Sequence, residues 1–560
     1  MTSETAQDGI ILPINLVFCS IYTTFAAFMT KAMAKYGNLG LSMLVGIGLF
    51  LFWYIGYPHA LSYQEQYQLF LWTGDYFLER VSVPGGFADW LGEFIVQFYY
   101  VEWLGALLLT LLIVIFGRLA GWIPAVLLLW LLGDPSVLLG YVVSLVLVMS
   151  FYHINRLTGI KGQVTDIVMV PIIYWIVGPL VWIYVGLRIL KGGVKASWLV
   201  VWTLAIQLFS FRYLLPQWTL EMTLLPALYY RIPMMMPTLM WLIPIITVIV
   251  AAFESRIKSA KWLLVVQTAI VVALAFLGIN KGYDKDMYKL ICQDYLVRNE
   301  KWDEIIKQAE KYQVHTPFSS VCVNLALSQK RELADRMFDF YQSGSDALIM
   351  PRIRDLTSML PSAETFWRLG MINSSLRYFF DTQESILNGR SSGRCTKRIA
   401  ECMLVNGHYK TARKHLDLLK NSLFYRSWAK ETEALMGDES SINAHPVYGT
   451  LRQIRYKNDF LYSHFELYKM FGLLFMNNTH NKMALDYFMG QMLLEGQLQG
   501  FQQYMGAVQQ YGGYSQMPVG YRDALMCIQK QGAVPGSHYA AYVNRMMAET
   551  KKKESDEEAH

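Results

Sequence analysis

The stretch WLLVVQTAIVVALAFLGI, from Trp262 to Ile279, holds no charged residue over eighteen positions. As a helix it rises about 27 Å, close to the ~30 Å hydrocarbon core of a bilayer. From Asn280 onward the composition changes abruptly, and the chain reads as ordinary water-compatible helix. Over the whole chain only 16% of residues are charged, against about a quarter in a typical soluble protein. Of the 92 charged residues, 66 lie after residue 280, in half of the chain. The fold class this implies is all-α: a polytopic transmembrane helix bundle, then a soluble helical domain.

Working back from Trp262, apolar stretches long enough to count as candidate spans fall at 10–29, 40–57, 99–117, 119–133, 136–152, 167–187, 196–214, 237–253 and 262–279. The 119–133 stretch is short. Gly178-Pro179 interrupts 167–187, and a proline there removes a backbone donor, so a broken or re-entrant helix is expected. Gln217 to Tyr230 is too short and mixed to span, and fits a helix lying along an interface. The amino terminus, with Glu4 and Asp8 and no early Lys or Arg, lacks the pattern of a cleaved signal.

Orientation follows from Lys and Arg in short connectors. These are Lys31 and Lys35; Arg118; Arg156 and Lys161; Arg188, Lys191 and Lys195; and Arg256, Lys258 and Lys261. All face the cytoplasm if one segment between Asp166 and Arg188 does not cross. The domain after residue 280 then lies outside the cytoplasm, in the periplasm of a bacterial inner-membrane protein. Strict alternation of nine spans instead puts it inside and places two basic loops on the wrong face.

Between Tyr57 and Phe98 lies the one long loop of the first half. It carries Glu65, Asp75, Glu79, Asp89 and Glu93 against a single Arg80. Its apolar pattern suits helices lying on a membrane, and Pro84-Gly85-Gly86 predicts a sharp turn. The bland reading is a solvated cap over the bundle. The functional one is a carboxylate working above the membrane as general base or as ligand of a divalent metal. Glu65 leads, between Gln64 and Gln66 with Tyr63 and Tyr67 nearby, and Asp75 follows. The near-absence of ionisable residues within the spans argues against an ion-coupled transporter. The six cysteines form no metal-binding spacing. No basic stripe points to nucleic acid.

The soluble half, 283–547, shows recurring helix–turn–helix pieces: Leu296 to Lys311, Leu325 to Phe340, Leu369 to Asp381, Met403 to Leu419 and Met476 to Gly490. Small residues Ala309, Ser375, Ala412 and Ala484 recur near multiples of 34, a tetratricopeptide-like period. Such arrays bury a core by stacking and present a groove to a protein partner. The closing KKKESDEEAH is expected to be a disordered charged tail, 548–560.

Several strings are distinctive: Tyr57-Pro58-His59, Tyr63-Gln64-Glu65-Gln66, Asp75-Tyr76-Phe77 and Pro84-Gly85-Gly86 in the loop; Asp294-Tyr295-Leu296-Val297-Arg298, Asp335-Arg336-Met337-Phe338 and Ser392-Gly393-Arg394-Cys395 in the second half. Through them the chain resembles an integral-membrane family of Bacteroidota, domain-of-unknown-function family 6057, over roughly residues 40 to 530. The resemblance implies no activity. Layout leaves two readings: a multi-span, lipid-linked sugar transferase of envelope glycan assembly working through Glu65 or Asp75, and a non-catalytic scaffold whose helical repeats recruit protein partners.

Overall fold

The computed structural model describes residues 40, 42–157, 163–225, 238–254, 261–355, 357–386, 389–457, 464–530 and 534–558. Among them the chain is helical, with no strand. It divides into two compact units, one of residues 1–65 and 74–283, the other of 66–73 and 284–560. The candidate span at 10–29 lies outside the described residues.

Unit 1 contains α1 (Ser42–Gly56), α2 (Pro58–Glu65), α3 (Gly74–Val81), α4 (Gly86–Val96), α5 (Glu102–Ala120), α6 (Trp122–Leu131), α7 (Leu139–Leu157), α8 (Gln163–Val177), α9 (Val181–Gly192), α10 (Trp198–Phe209), α11 (Leu220–Leu224), α12 (Leu239–Glu254) and α13 (Lys261–Gly282). By length and composition two helical runs can cross a membrane, Glu102–Ala120 and Thr165–Ala196, and a third if α1 and α2, bent by 76°, form one span. Among the remaining apolar helices, α6, α10 and α12 run 10, 12 and 16 residues, whereas α7 and α13 run 19 and 22. Turns at Gly121, Gly133, Gly178 and Gly193 divide the apolar stretches, and the candidate span 167–187 is broken at Gly178-Pro179 as expected.

The run Thr165–Ala196 is not one straight rod. Arg188 Nη2 donates to Asp166 Oδ2 at 2.6 Å, and Tyr184 OH donates to Asp166 Oδ1 at 2.9 Å. Residues 22 positions apart on a continuous helix would lie about 33 Å apart. So α8 and α9 form a hairpin that turns at Gly178-Pro179-Leu180, where Gly178 has φ +62°. α10 then runs parallel to α8, with Trp202 Nε1 donating to Ile167 O at 3.2 Å and Tyr174 hydrogen-bonded to Ser210.

Cross-links sort the helix ends of unit 1 into two sets. At one, Arg118 Nη1 donates to Ser42 Oγ (3.1 Å), His153 Nε2 lies 2.9 Å from Leu119 O, and Asn155 Nδ2 donates to Tyr184 OH (2.7 Å). With the Asp166–Arg188 pair, these gather ends of α1, α5, α7, α8 and α9. At the other, Tyr283 OH donates to Leu129 O (3.1 Å), Tyr141 OH to Met240 O (2.9 Å) and Gln64 Nε2 to Val137 O (3.1 Å). Tyr283 also packs its ring against Phe52 and Tyr57. The chain leaves unit 1 at this second end.

Unit 2 is built from short antiparallel helix pairs. The expected helix–turn–helix pieces are there, as in Gly393–Asn406 with Tyr409–Lys420 and Lys285–Arg298 with Trp302–Lys311. Ala309, Ser375, Ala412 and Ala484 are buried where helices approach. A Gly407 at φ +80° ends one helix in the left-handed conformation that glycine tolerates. The intervals between pairs differ, with 3-10 turns at Met337–Asp339 and Gly344–Ala347. The last helix runs His538–Glu558. Its Ala, Glu and Lys are strong helix formers, and Arg545 and Glu549 pair across one turn at 3.6 Å.

Candidate functional site in the acidic loop

The loop between α2 and α5 holds the helical hairpin α3–α4. α3 and α4 are joined through Pro84-Gly85-Gly86, where Gly85 takes φ +82°. Only glycine fits at Gly86 as well, because a Cβ there would sit 1.8 Å from the Arg80 carbonyl oxygen. The turn packs on the tip of the α8–α9 hairpin: Gly85 N–H donates to Trp175 O at 2.8 Å, and Trp175 Nε1 donates to Val81 O at 3.1 Å. On α4, a Cβ at Gly92 would lie 2.6 Å from Gly140 N, so α4 and the start of α7 touch backbone to backbone.

Inside the hairpin sits a charged cluster. Glu93 is fully buried and accepts a short hydrogen bond from Tyr76 OH. Arg80 Nε lies 3.2 Å from Glu93 Oε2, and the guanidinium stacks 5.1 Å from the Tyr76 ring centroid. Asp89 is buried on the same helix as Glu93, one turn earlier. Burial pushes the Tyr76 phenol up, and the Glu93 charge adds to this. For Arg80, burial works to lower the pKa, but Glu93, Tyr76 and Asp89 outweigh it and leave the guanidinium firmly charged. The hairpin thus holds an internal ion pair that ties α3 to α4.

The two residues singled out from sequence occupy different surroundings. Glu65 is the last residue of α2 and is buried, at 4% exposure. Asp75 lies in the exposed first turn of α3, where its charge favours the helix N-terminus. Between them, Gln66–Thr73 belongs to unit 2. Among the described residues, no group of three or more His, Cys, Asp or Glu is placed to hold a metal ion. The sequence reading passed over Glu93 and Arg80. The signal was the lone arginine in an acidic loop, one helical turn after Tyr76.

The segment Gln66–Thr73 adds a second charged constellation, within unit 2. Leu69 N–H donates to Ser391 O (2.9 Å) and Trp72 N–H to Asn421 O (2.7 Å). Tyr67, Leu69 and Phe70 are buried, Leu69 in a core with Leu416, Leu419 and Tyr425. Arg394 Nη1 donates to Gln66 Oε1 (3.1 Å) and to both oxygens of Asp294 (2.9 and 2.7 Å). Arg394 Nη2 lies 3.6 Å from Glu364, which also accepts from Arg398 Nη2 at 2.8 Å; Arg398 Nη1 in turn donates to Glu401 at 2.6 Å. Burial would raise the Glu364 pKa, but Arg398, Arg394 and Arg368 hold it below the ordinary carboxylate range.

Gln66, Asp294 and Arg394 all lie in the distinctive strings noted above, and here they hold a distant chain segment in place. No curated protein and no solved structure matches the chain. The family model described as a family of unknown function, DUF6057, matches residues 33–552, and the chain belongs to that family.

Proposed function

We propose that this is a multi-pass membrane protein that holds a helical array on the non-cytoplasmic side of a bacterial inner membrane, as a scaffold. Segment Gln66–Thr73 carries the reading. The loop that a transferase would use as a catalytic roof is instead divided between two structural jobs: its centre is woven into unit 2, and its flanking helices are closed around the Arg80–Glu93 pair. The paired helices of unit 2 suit a tetratricopeptide-like groove for a protein partner.

The topology rests on charge. Arg118, Arg188 and Lys191 belong to the helix ends gathered around Asp166. α12 starts beside Tyr141 and α13 finishes beside Leu129, both at the opposite end, and the sequence joining the two helices carries Arg256 and Lys258. The α8–α9 hairpin returns to the end it left, so Arg118, Arg188 and Lys191 share one face, as the positive-inside rule favours, while Arg212 lies at the opposite end. Tyr283 leads out of the other face.

Two measurements test this. Alkaline phosphatase fused at residue 290 is active and green fluorescent protein there is dark; the reverse pair overturns the topology. In a deletion strain, Glu65→Gln and Asp75→Asn restore normal surface glycans. Loss of an envelope glycan with either variant, at unchanged protein level, would replace the scaffold by the lipid-linked sugar transferase.

A further inference from the structure

Resting on the membrane reading above, we propose that the α8–α10 side of unit 1 presents a lipid-facing surface that fits a bilayer thinned to about 20 Å. Two independent lengths support it. In the α8–α9 hairpin, Asp166 lies twelve residues before the tip at Gly178, a rise of about 18 Å. At that tip the chain meets the Pro84-Gly85-Gly86 turn of the acidic hairpin, and Gly178 approaches closely: a Cβ there would be 3.3 Å from Gly85 Cα. In α10 and its extension, Ser197 to Phe211 is free of charge between Lys195 and Arg212, fifteen residues and about 22 Å. Both fall short of the ~30 Å hydrocarbon core.

The surface between these limits is apolar and outward-facing. Val168, Ile172 and Trp175 on α8, and Val201, Leu204 and Leu208 on α10, are all exposed. Polar side chains of the same helix, Thr203, Gln207 and Ser210, are buried instead. A bilayer of ordinary thickness would cover either the Asp166–Arg188 pair with its lysines or the Arg80–Glu93 hairpin. Deforming lipid costs little per ångström, whereas submerging charges and open backbone turns costs far more. The bilayer therefore yields.

The test places single labelled cysteines in the full chain, in vesicles of dioleoyl phosphatidylcholine with phosphatidylglycerol, and reads fluorescence quenching by nitroxide lipids of known depth. Leu190→Cys marks the end near Arg188 and Leu78→Cys the acidic hairpin; both positions are exposed. Val194→Cys and Phe77→Cys are the reserve pair, and the parent protein, labelled alike, is the blank. Both labels are expected to be quenched at least twofold more by headgroup nitroxides than by mid-chain ones. Stronger mid-chain quenching at either end would show a re-entrant hairpin in an undeformed bilayer and overturn the proposal. A label at Ile172 must be quenched by the mid-chain probe; failure there would remove the membrane reading itself.

Discussion

The two units bury charge in different ways. In unit 1 the ion pairs are local: Arg80–Glu93 closes the α3–α4 hairpin and Asp166–Arg188 closes the α8–α9 hairpin. Each joins two consecutive helices. In unit 2 the charges are shared, and Arg394, Asp294, Glu364, Arg398 and Glu401 form one chain that ties together residues far apart in sequence. Local pairs fix the geometry of a turn. A shared network fixes which distant segments belong together.

The largest effect should come from taking away the segment the network holds. Residues 284–560 alone lack Tyr67, Leu69 and Phe70, each buried, and full burial of such side chains is worth roughly 1.5–3 kcal/mol apiece. The excised unit should therefore melt well below the same unit carrying residues 66–73 on a linker. Equal melting temperatures would demote the segment to a passive passenger.

Arg394→Met comes next. It leaves Asp294 buried with its main partner gone, while Glu364 keeps Arg398; breaking a buried pair in this way typically costs about 3–5 kcal/mol. Pairing it with Asp294→Leu should recover part of the loss, as seen in urea unfolding of the double and single variants. Strict additivity would mean that the network is only a set of separate pairs.

Asp486 sharpens the comparison from the other direction. It accepts from Arg331 Nη1 at 2.9 Å and from Tyr514, yet burial dominates and pushes its pKa up to about 6. Because the folded value lies above the ordinary 3.8, the stability it contributes is present in acid and lost as pH rises through 6. Between pH 5 and 7.5 the wild-type chain should lose about 1 kcal/mol that Asp486→Asn does not lose. Identical pH profiles for the two would refute this.

An effect of similar size is expected in unit 1. Gly85→Ala and Gly178→Ala force an alanine to positive φ, at about 1–2 kcal/mol each. Thermal unfolding in detergent should resolve the shift. Because the two turns touch, the double variant should depart from the sum.

Much of the fold was legible in composition and punctuation. The charge-free run at Trp262–Ile279, the polar turns of the helix pairs and the turn at Gly178-Pro179 are all local signals. What was not legible is what a residue meets across space. Asp166 and Arg188 read as unrelated connector charges until the hairpin brings them together. Glu93 reads as one solvated acid among five, because nothing in its neighbours announces burial. Glu65 was legible as an unusual acid but not as a buried one. Gln66–Thr73 looks like the middle of a loop, since its partners Ser391, Arg394 and Asn421 stand more than three hundred residues away.

That separation has a consequence for synthesis. Gln66 and Arg394 are 328 positions apart. At about 5–20 residues per second, the segment leaves the ribosome some 15–65 s before its partner exists. Through that interval Leu69 and Phe70 have no core to enter, although the helices on either side can already be in place. Maturation then includes the capture of an early chain segment by a late domain, a step that a chaperone can guard and that a truncated transcript can never complete.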